Sequence, residues 1–211
     1  MIPQFQAALE LQSFLKERGW SFCIIGGLAV FRWGEFRTTQ DVDVTLLTGF
    51  GDEEGFIRPL LERFASRKPD AEEFALRNRV LLLTASNDVG VDVSLGALPF
   101  EEQLVARASA FAFEPGVSLI TCSAEDLVVL KAFAGRGQDW RDVEGVLVRQ
   151  EPRLDWKYIR EWLPQLCELK EAPEIVDQLE AMRVKLDKER RDAPKALRDL
   201  RRPKPRRGSN K

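Results

Sequence analysis

Valine-flanked aspartates constrain this chain more than any other feature. The stretches "DVDVTLL" at 41–47 and "VGVDVSLG" at 89–96 alternate polar and aliphatic residues. That alternation is the period of a strand with one face buried. Aspartate is nevertheless depleted in strands, because its short polar side chain favours turns and caps. Along a strand, residues i and i+2 share a face, so Asp41 and Asp43 are expected to point together while Val42 and Val44 enter the core. Asp92, between Val91 and Val93, is expected to leave the core in the same way. Two carboxylates this close repel unless a cation lies between them or one takes up a proton. A hard divalent ion suits such a pair, magnesium first and manganese as the alternative. If the two strands are neighbours, three carboxylates converge into a set able to hold two metal ions and activate a hydroxyl for attack on phosphorus.

Upstream, "WSFCII" reads as a buried strand that ends at Gly26-Gly27 and runs into a short helix, "LAVFRWG". Glycines at such a junction let backbone amides approach a phosphate at the positive end of the helix. Arg37 and Thr39, in the loop before Asp41, either bind phosphate or fix the loop. Lys131 shares a helix face with Leu127 and Ala134, so its ammonium must snorkel or meet an anion. Asp139 reads either as a site residue or as an N-cap with Asp142 three residues on. Trp140, Trp156 and Trp162 fall on apolar helix faces and are expected in the core.

Composition narrows the chemistry. There is no histidine, which excludes histidine triads, histidine-ligated zinc and imidazole acid–base steps. Cys23, Cys122 and Cys167 are odd in number and widely spaced, as expected of reduced thiols in a cytoplasmic protein. No run of about 18 apolar residues offers a membrane span, and "MIPQFQAALELQ" lacks a basic leader. The net charge of −2 is uneven: residues 185–211 hold 12 Lys or Arg against 4 Asp or Glu. Such an end is either a solvated tail or an arm for nucleic acid.

The coarse reading is α+β, a mixed central sheet flanked by helices and followed by a C-terminal helical domain. Helices are expected at 4–18, over "GFIRPLLERFASR" despite Pro59, briefly after Pro99, and over "SAEDLVVLKAFAGR" behind a Ser123–Asp126 cap. Three more are expected over "DWRDVEGVLVRQ", at about 155–169 and at 173–191. A strand near 79–86 should turn at Asn87-Asp88 to Gly90 and return through Asp92, and two short strands should flank Pro115-Gly116. The domains read as 1–122, 123–191 completing a cleft, and a basic tail at 192–211.

Gly-Gly, a spacer, Asp-x-Asp and a later strand carboxylate together resemble the nucleotidyltransferase superfamily that includes DNA polymerase β. Gly26, Gly27, Arg37, Thr39, Asp41 and Asp43 are more closely similar to the first motif of the AbiEii-like abortive-infection group. "SAEDLVVLKAFAGRGQDWRDVEGVL" resembles that group's helical Lys followed by Asp, and the similarity spans roughly residues 20–148. Leu28 stands where many members have Ser, and only Arg77 and Arg79 are offered for a central-strand Lys. The resemblance implies a nucleotidyltransferase fold and transfer of a nucleoside monophosphate from an NTP to an acceptor hydroxyl. Asp41, Asp43 and Asp92 would bind metal, with Asp92 also helping to deprotonate the acceptor. Lys131 would hold the triphosphate and offset the pyrophosphate, and Asp139 would support the site. It also implies a toxin acting on tRNA or another RNA, with a cognate antitoxin as partner. The alternatives are transfer to a small molecule or protein, or a catalytically silent fold used for binding or regulation.

Overall fold

The computed structural model describes residues 2–192. The basic segment expected at 192–211 therefore lies, from residue 193 on, outside the described residues. The chain divides into two units. One comprises the residues up to Arg32 together with Phe36–Leu127, and the other comprises Trp33–Glu35 together with the chain from Val128 onward.

The first unit is built on a seven-stranded mixed sheet. Its strands in chain order are β1 (Phe22–Ile24), β2 (Val42–Leu47), β3 (Ala65–Ser66), β4 (Val80–Thr84), β5 (Gly90–Gly96), β6 (Ser109–Glu114) and β7 (Val117–Thr121). Spatially they run β3-β4-β5-β2-β1-β7-β6. β2 and β5 lie parallel, as do β1 and β7, and the remaining neighbours are antiparallel. Between strands run α1 (Pro3–Glu17), α2 (Gly26–Trp33), α3 (Glu54–Arg63), α4 (Ala71–Asn78) and α5 (Pro99–Ala106), and α6 (Ala124–Ala134) follows β7.

Alternation decides which face of the sheet is the core. Val42, Val44 and Leu46 of β2, Val91, Val93 and Leu95 of β5, and Leu81 and Leu83 of β4 are buried in one cluster. Leu11, Phe14 and Leu15 of α1, Ile57 and Leu60 of α3, and Ala75 of α4 complete it. With these residues committed inward, Asp43 and Asp92 are turned to the opposite face. α1 has Pro3 in its first turn, where the missing N–H costs nothing, and stops before Gly19 at φ +65°. α3 keeps Pro59 inside but ends at Arg63, and the next residues form β3 rather than continuing the helix. The expected hairpin forms, with Leu82 opposite Asp92 and Asp88 in the left-handed region at φ 64°.

The second unit is helical. It holds α7 (Gly137–Gln150), α8 (Trp156–Lys170) and α9 (Glu174–Asp192), and α6 passes into it after Leu127. Val143, Val146 and Leu147 of α7, Ile159, Leu163 and Leu166 of α8, and Ile175 and Leu179 of α9 are buried. Trp33–Glu35 belongs here because Gln150 Nε2 donates to the Trp33 carbonyl at 2.8 Å and Arg149 donates to that of Gly34. Trp140, Trp156 and Trp162 are half-buried rather than core. Trp156 shows why: its indole N–H donates to Glu151 at 2.7 Å and its ring lies 4.4 Å from the Arg183 guanidinium. All three cysteines are buried. No described helix is long and apolar enough to cross a membrane.

Candidate functional site

The parallel register of β2 and β5 sets Asp43 directly beside Asp92. Their valine neighbours pair in the same register, Val42 with Val91 and Val44 with Val93, so the core locks the alignment. Asp41 lies one residue before β2, in a bend rather than in the strand. Its carboxylate rests over Gly90, where a Cβ would stand 3.1 Å from the Asp41 carboxyl carbon. That seat carries the β2–β5 register one residue beyond Val42 and Val91, on the face of Asp43 and Asp92.

The two glycines at the start of α2 are filled from the following loop and strand. Gly26 sits at φ +61°, and a Cβ there would meet the Asp43 carboxyl carbon at 2.5 Å. A side chain at Gly27 would meet the Thr39 Cβ at 2.5 Å. α2 thus begins at Gly26, and its first turn is pressed against the side chains of Asp43 and Thr39. Thr39 Oγ1 donates to the Asp41 carbonyl at 3.1 Å, and Arg37 donates to the Thr38 carbonyl at 3.2 Å. Both residues have the loop-fixing contacts that the sequence left as one of two readings.

A cation absent from the sequence reading stands in this row. Arg67, just past the two-residue β3, donates its backbone N–H to the Leu82 carbonyl at 3.0 Å. Leu82 pairs with Asp92, and Asp92 with Asp43, so one lateral row crosses four strands. The Arg67 guanidinium donates to Asp92 Oδ1, and each side chain is about 33% exposed. Burial pushes the Asp92 carboxyl up, and the Asp41 charge adds to that rise against the lowering by Arg67. No signal in the sequence marks Arg67, since a two-residue strand is too short for any periodicity. The residues considered for a basic role behave differently: Arg79 caps α4 at φ 53° and is spent on Glu53 at 2.6 Å and the Leu95 carbonyl.

Lys131 and Asp139 belong to the helical unit and meet there. Lys131 Nζ lies 2.8 Å from Asp139 and 2.9 Å from Asp142, with the three side chains only 13%, 8% and 3% exposed. Asp139 is not an N-cap: Arg136 holds that position, and Asp139, as the third helical residue, accepts from the Arg136 backbone N–H at 3.3 Å. Ser123 and Asp126 form the expected reciprocal cap of α6, with Ser123 Oγ donating to Asp126 at 2.6 Å and accepting from its N–H at 3.2 Å.

Among the described residues, no three carboxylate or thiol side chains are already gathered as a metal cage. Asp41 over Gly90 and Asp92 under Arg67 border one stretch of β5, with Asp43 beside Asp92. The donor set still fits a hard divalent cation. It offers only carboxylate oxygens, two of them from residues in register on adjacent strands, with the Asp92 carboxyl raised by burial and further by the charge of Asp41.

The model of a family described as nucleotidyltransferase of unknown function (DUF6036) matches residues 5–189. Among solved structures, an antigenic nucleotidyltransferase-like protein from Paracoccidioides brasiliensis is similar at 16% identity. Its TM-score is 0.50, over 84% of this chain and 92% of that one, a likeness of fold. ANT(2")-Ia in complex with adenylyl-2"-tobramycin aligns at 16% identity and TM-score 0.44, over 89% of this chain and 99% of that one. The lincomycin-bound lincosamide antibiotic adenylyltransferase LnuA aligns at 9% and 0.45, over 67% and 94%. No curated protein matches the chain in sequence.

Proposed function

The chain belongs to the DUF6036 family of nucleotidyltransferases, and from that premise we propose that it moves a nucleoside monophosphate from an NTP to an acceptor hydroxyl with release of pyrophosphate. The observation that carries this reading is the register of Asp43 beside Asp92, with Gly26 closed against Asp43. Asp41, Asp43 and Asp92 are the residues that would hold magnesium or manganese. When bound, such an ion supplies charge neutralisation at the phosphates and acidifies the attacking hydroxyl.

In the reaction, the acceptor oxygen forms a bond to the α-phosphorus as the bond to the β-phosphate oxygen breaks, and that electron pair leaves with pyrophosphate. Asp92 takes the acceptor proton, a task suited to a carboxylate whose proton affinity is already raised. The amides opening α2 at Gly26 and Gly27 receive phosphate oxygens. Arg37 and Thr39 hold the loop that brings Asp41 to the site.

For the acceptor we propose RNA, tRNA first, in the setting of a toxin with a cognate antitoxin. The excess of basic residues over 185–211 and the likeness of the first motif to the AbiEii-like group support it. The test is incubation with each labelled NTP, magnesium and total RNA, with Asp43→Ala in parallel. Label on RNA that vanishes in the variant is the expected result. Equal labelling by both proteins overturns the site, and transfer confined to small molecules or protein overturns the RNA acceptor.

A further inference from the structure

We infer that Arg67 is a built-in counter-ion of the carboxylate row, holding Asp92 and competing with a divalent cation for it. This rests on the metal-binding reading of Asp41, Asp43 and Asp92. Three independent placements lead to it. The ladder from Arg67 to Leu82 to Asp92 puts Arg67 and Asp92 on one face, separated by a single strand. The guanidinium is hydrogen-bonded to Asp92 Oδ1, so it engages an oxygen that a metal would need. Its other terminal nitrogen and the Asp41 carboxyl carbon border the same point beside Gly90, at 3.3 and 3.1 Å. Arg67 therefore faces two of the three proposed ligands.

Charge gives the direction of the effect. The three aspartates and Arg67 sum to a formal −2, and without Arg67 the row is −3. The guanidinium keeps its planar fork and its charge, so it yields to a second cation by moving. It can move, because its side chain is one-third exposed and its anchor is a two-residue strand at the sheet edge. Two cations cannot share Asp92 closely without mutual repulsion. Metal binding at Asp92 thus works against the Arg67 contact, which weakens the apparent affinity for the ion.

The test is Mn2+ binding to the full chain without nucleotide, followed by calorimetry and by paramagnetic resonance of the free ion. Wild type is compared with Arg67→Ala, Arg67→Gln, Arg67→Lys and Asp43→Ala. The neutral variants are expected to bind about tenfold more tightly than wild type, an advantage that shrinks in high salt. Arg67→Lys, which keeps the charge but not the planar fork, is expected to fall between them. Arg67→Gln preserves most of the side-chain volume and carries the comparison if the alanine variant does not fold. Unchanged or weaker binding in the neutral variants, while wild type binds and Asp43→Ala does not, overturns the inference and leaves the metal site standing. Absence of Mn2+ binding in wild type and both neutral variants overturns the metal site and the inference with it.

Discussion

In the helical unit Lys131 is enclosed by Asp139 and Asp142, while in the sheet unit Arg67 reaches Asp92 from an edge. Each arrangement sets one cation among more acids than it can neutralise. The first is nearly sealed, anchored in two adjoining helices and fixed by the return bond from Asp139 to Arg136. The second is one-third open, carried on a strand of two residues, and bordered by glycines that leave room against the carboxylates. A buried ion cluster is costly to disturb because its remaining charges have no water to turn to. A half-open one can exchange its cation for another. The two clusters thus differ in kind, one a closed joint between helices, the other a contact whose cation can be exchanged.

The sharpest way to break this contrast is Asp43→Ala. Transfer is expected to fall roughly 10^3-fold, about 4 kcal/mol of barrier, in a single-turnover assay. The melting temperature should hold or rise, since a charge leaves a repulsive row. Lys131→Met is expected to do the reverse to stability, costing about 3 kcal/mol in urea unfolding by stranding two buried carboxylates. Adding Asp139→Asn to it should restore part of that loss. If Lys131→Met unfolds like wild type, the sealed cluster is not the helical anchor described here.

Gly26→Ala comes next. The added carbon meets Asp43 at a backbone angle that favours glycine, so about 1–3 kcal/mol of stability is expected to go, along with much of the activity. The smallest effect is at an exposed pair of the helical unit. The Arg160 guanidinium, bonded to Glu180 at 2.6 and 3.0 Å, holds that carboxyl below its ordinary value. A depressed acid contributes stability that is present above its unfolded value, near 4.5, and is lost as pH falls through the folded one. Glu180→Gln should therefore cost at most about 0.5 kcal/mol at pH 7 and progressively less in acid, read from unfolding across that pH range.

The aspartate stretches were legible because alternation and burial act residue by residue. Val42, Val44, Val91 and Val93 announced which way Asp43 and Asp92 face, and the turn at Asp88 announced their hairpin. The Ser123–Asp126 cap was legible for the same local reason. What stayed hidden depends on register between distant segments. Arg67 finds Asp92 through β4, and β3 is too short to show a period. α4 went unread because its eight residues bury only Ala75, which leaves no apolar stripe to detect. Asp139 was misplaced by three positions along its helix, because Gly137 opens α7 where glycine was read as a break. The tryptophans were assigned to the core by spacing, but their polar N–H and the nearby guanidinium hold Trp156 at the boundary.

The seating of Asp43 on Gly26, and of Asp41 on Gly90, has a consequence for heredity. A carboxylate lodged where another residue's side chain would be joins two positions into one unit of inheritance, 26 with 43 and 41 with 90, which are 17 and 49 residues apart in sequence. In any descendant that keeps these acids in these seats, positions 26 and 90 have no route through a larger residue. A larger residue at 26 must displace the whole Asp43 side chain, and one at 90 must turn the Asp41 carboxylate aside. Drift at 26 and 90 should accordingly stop for as long as the acids are in use, and resume together with theirs once they are not.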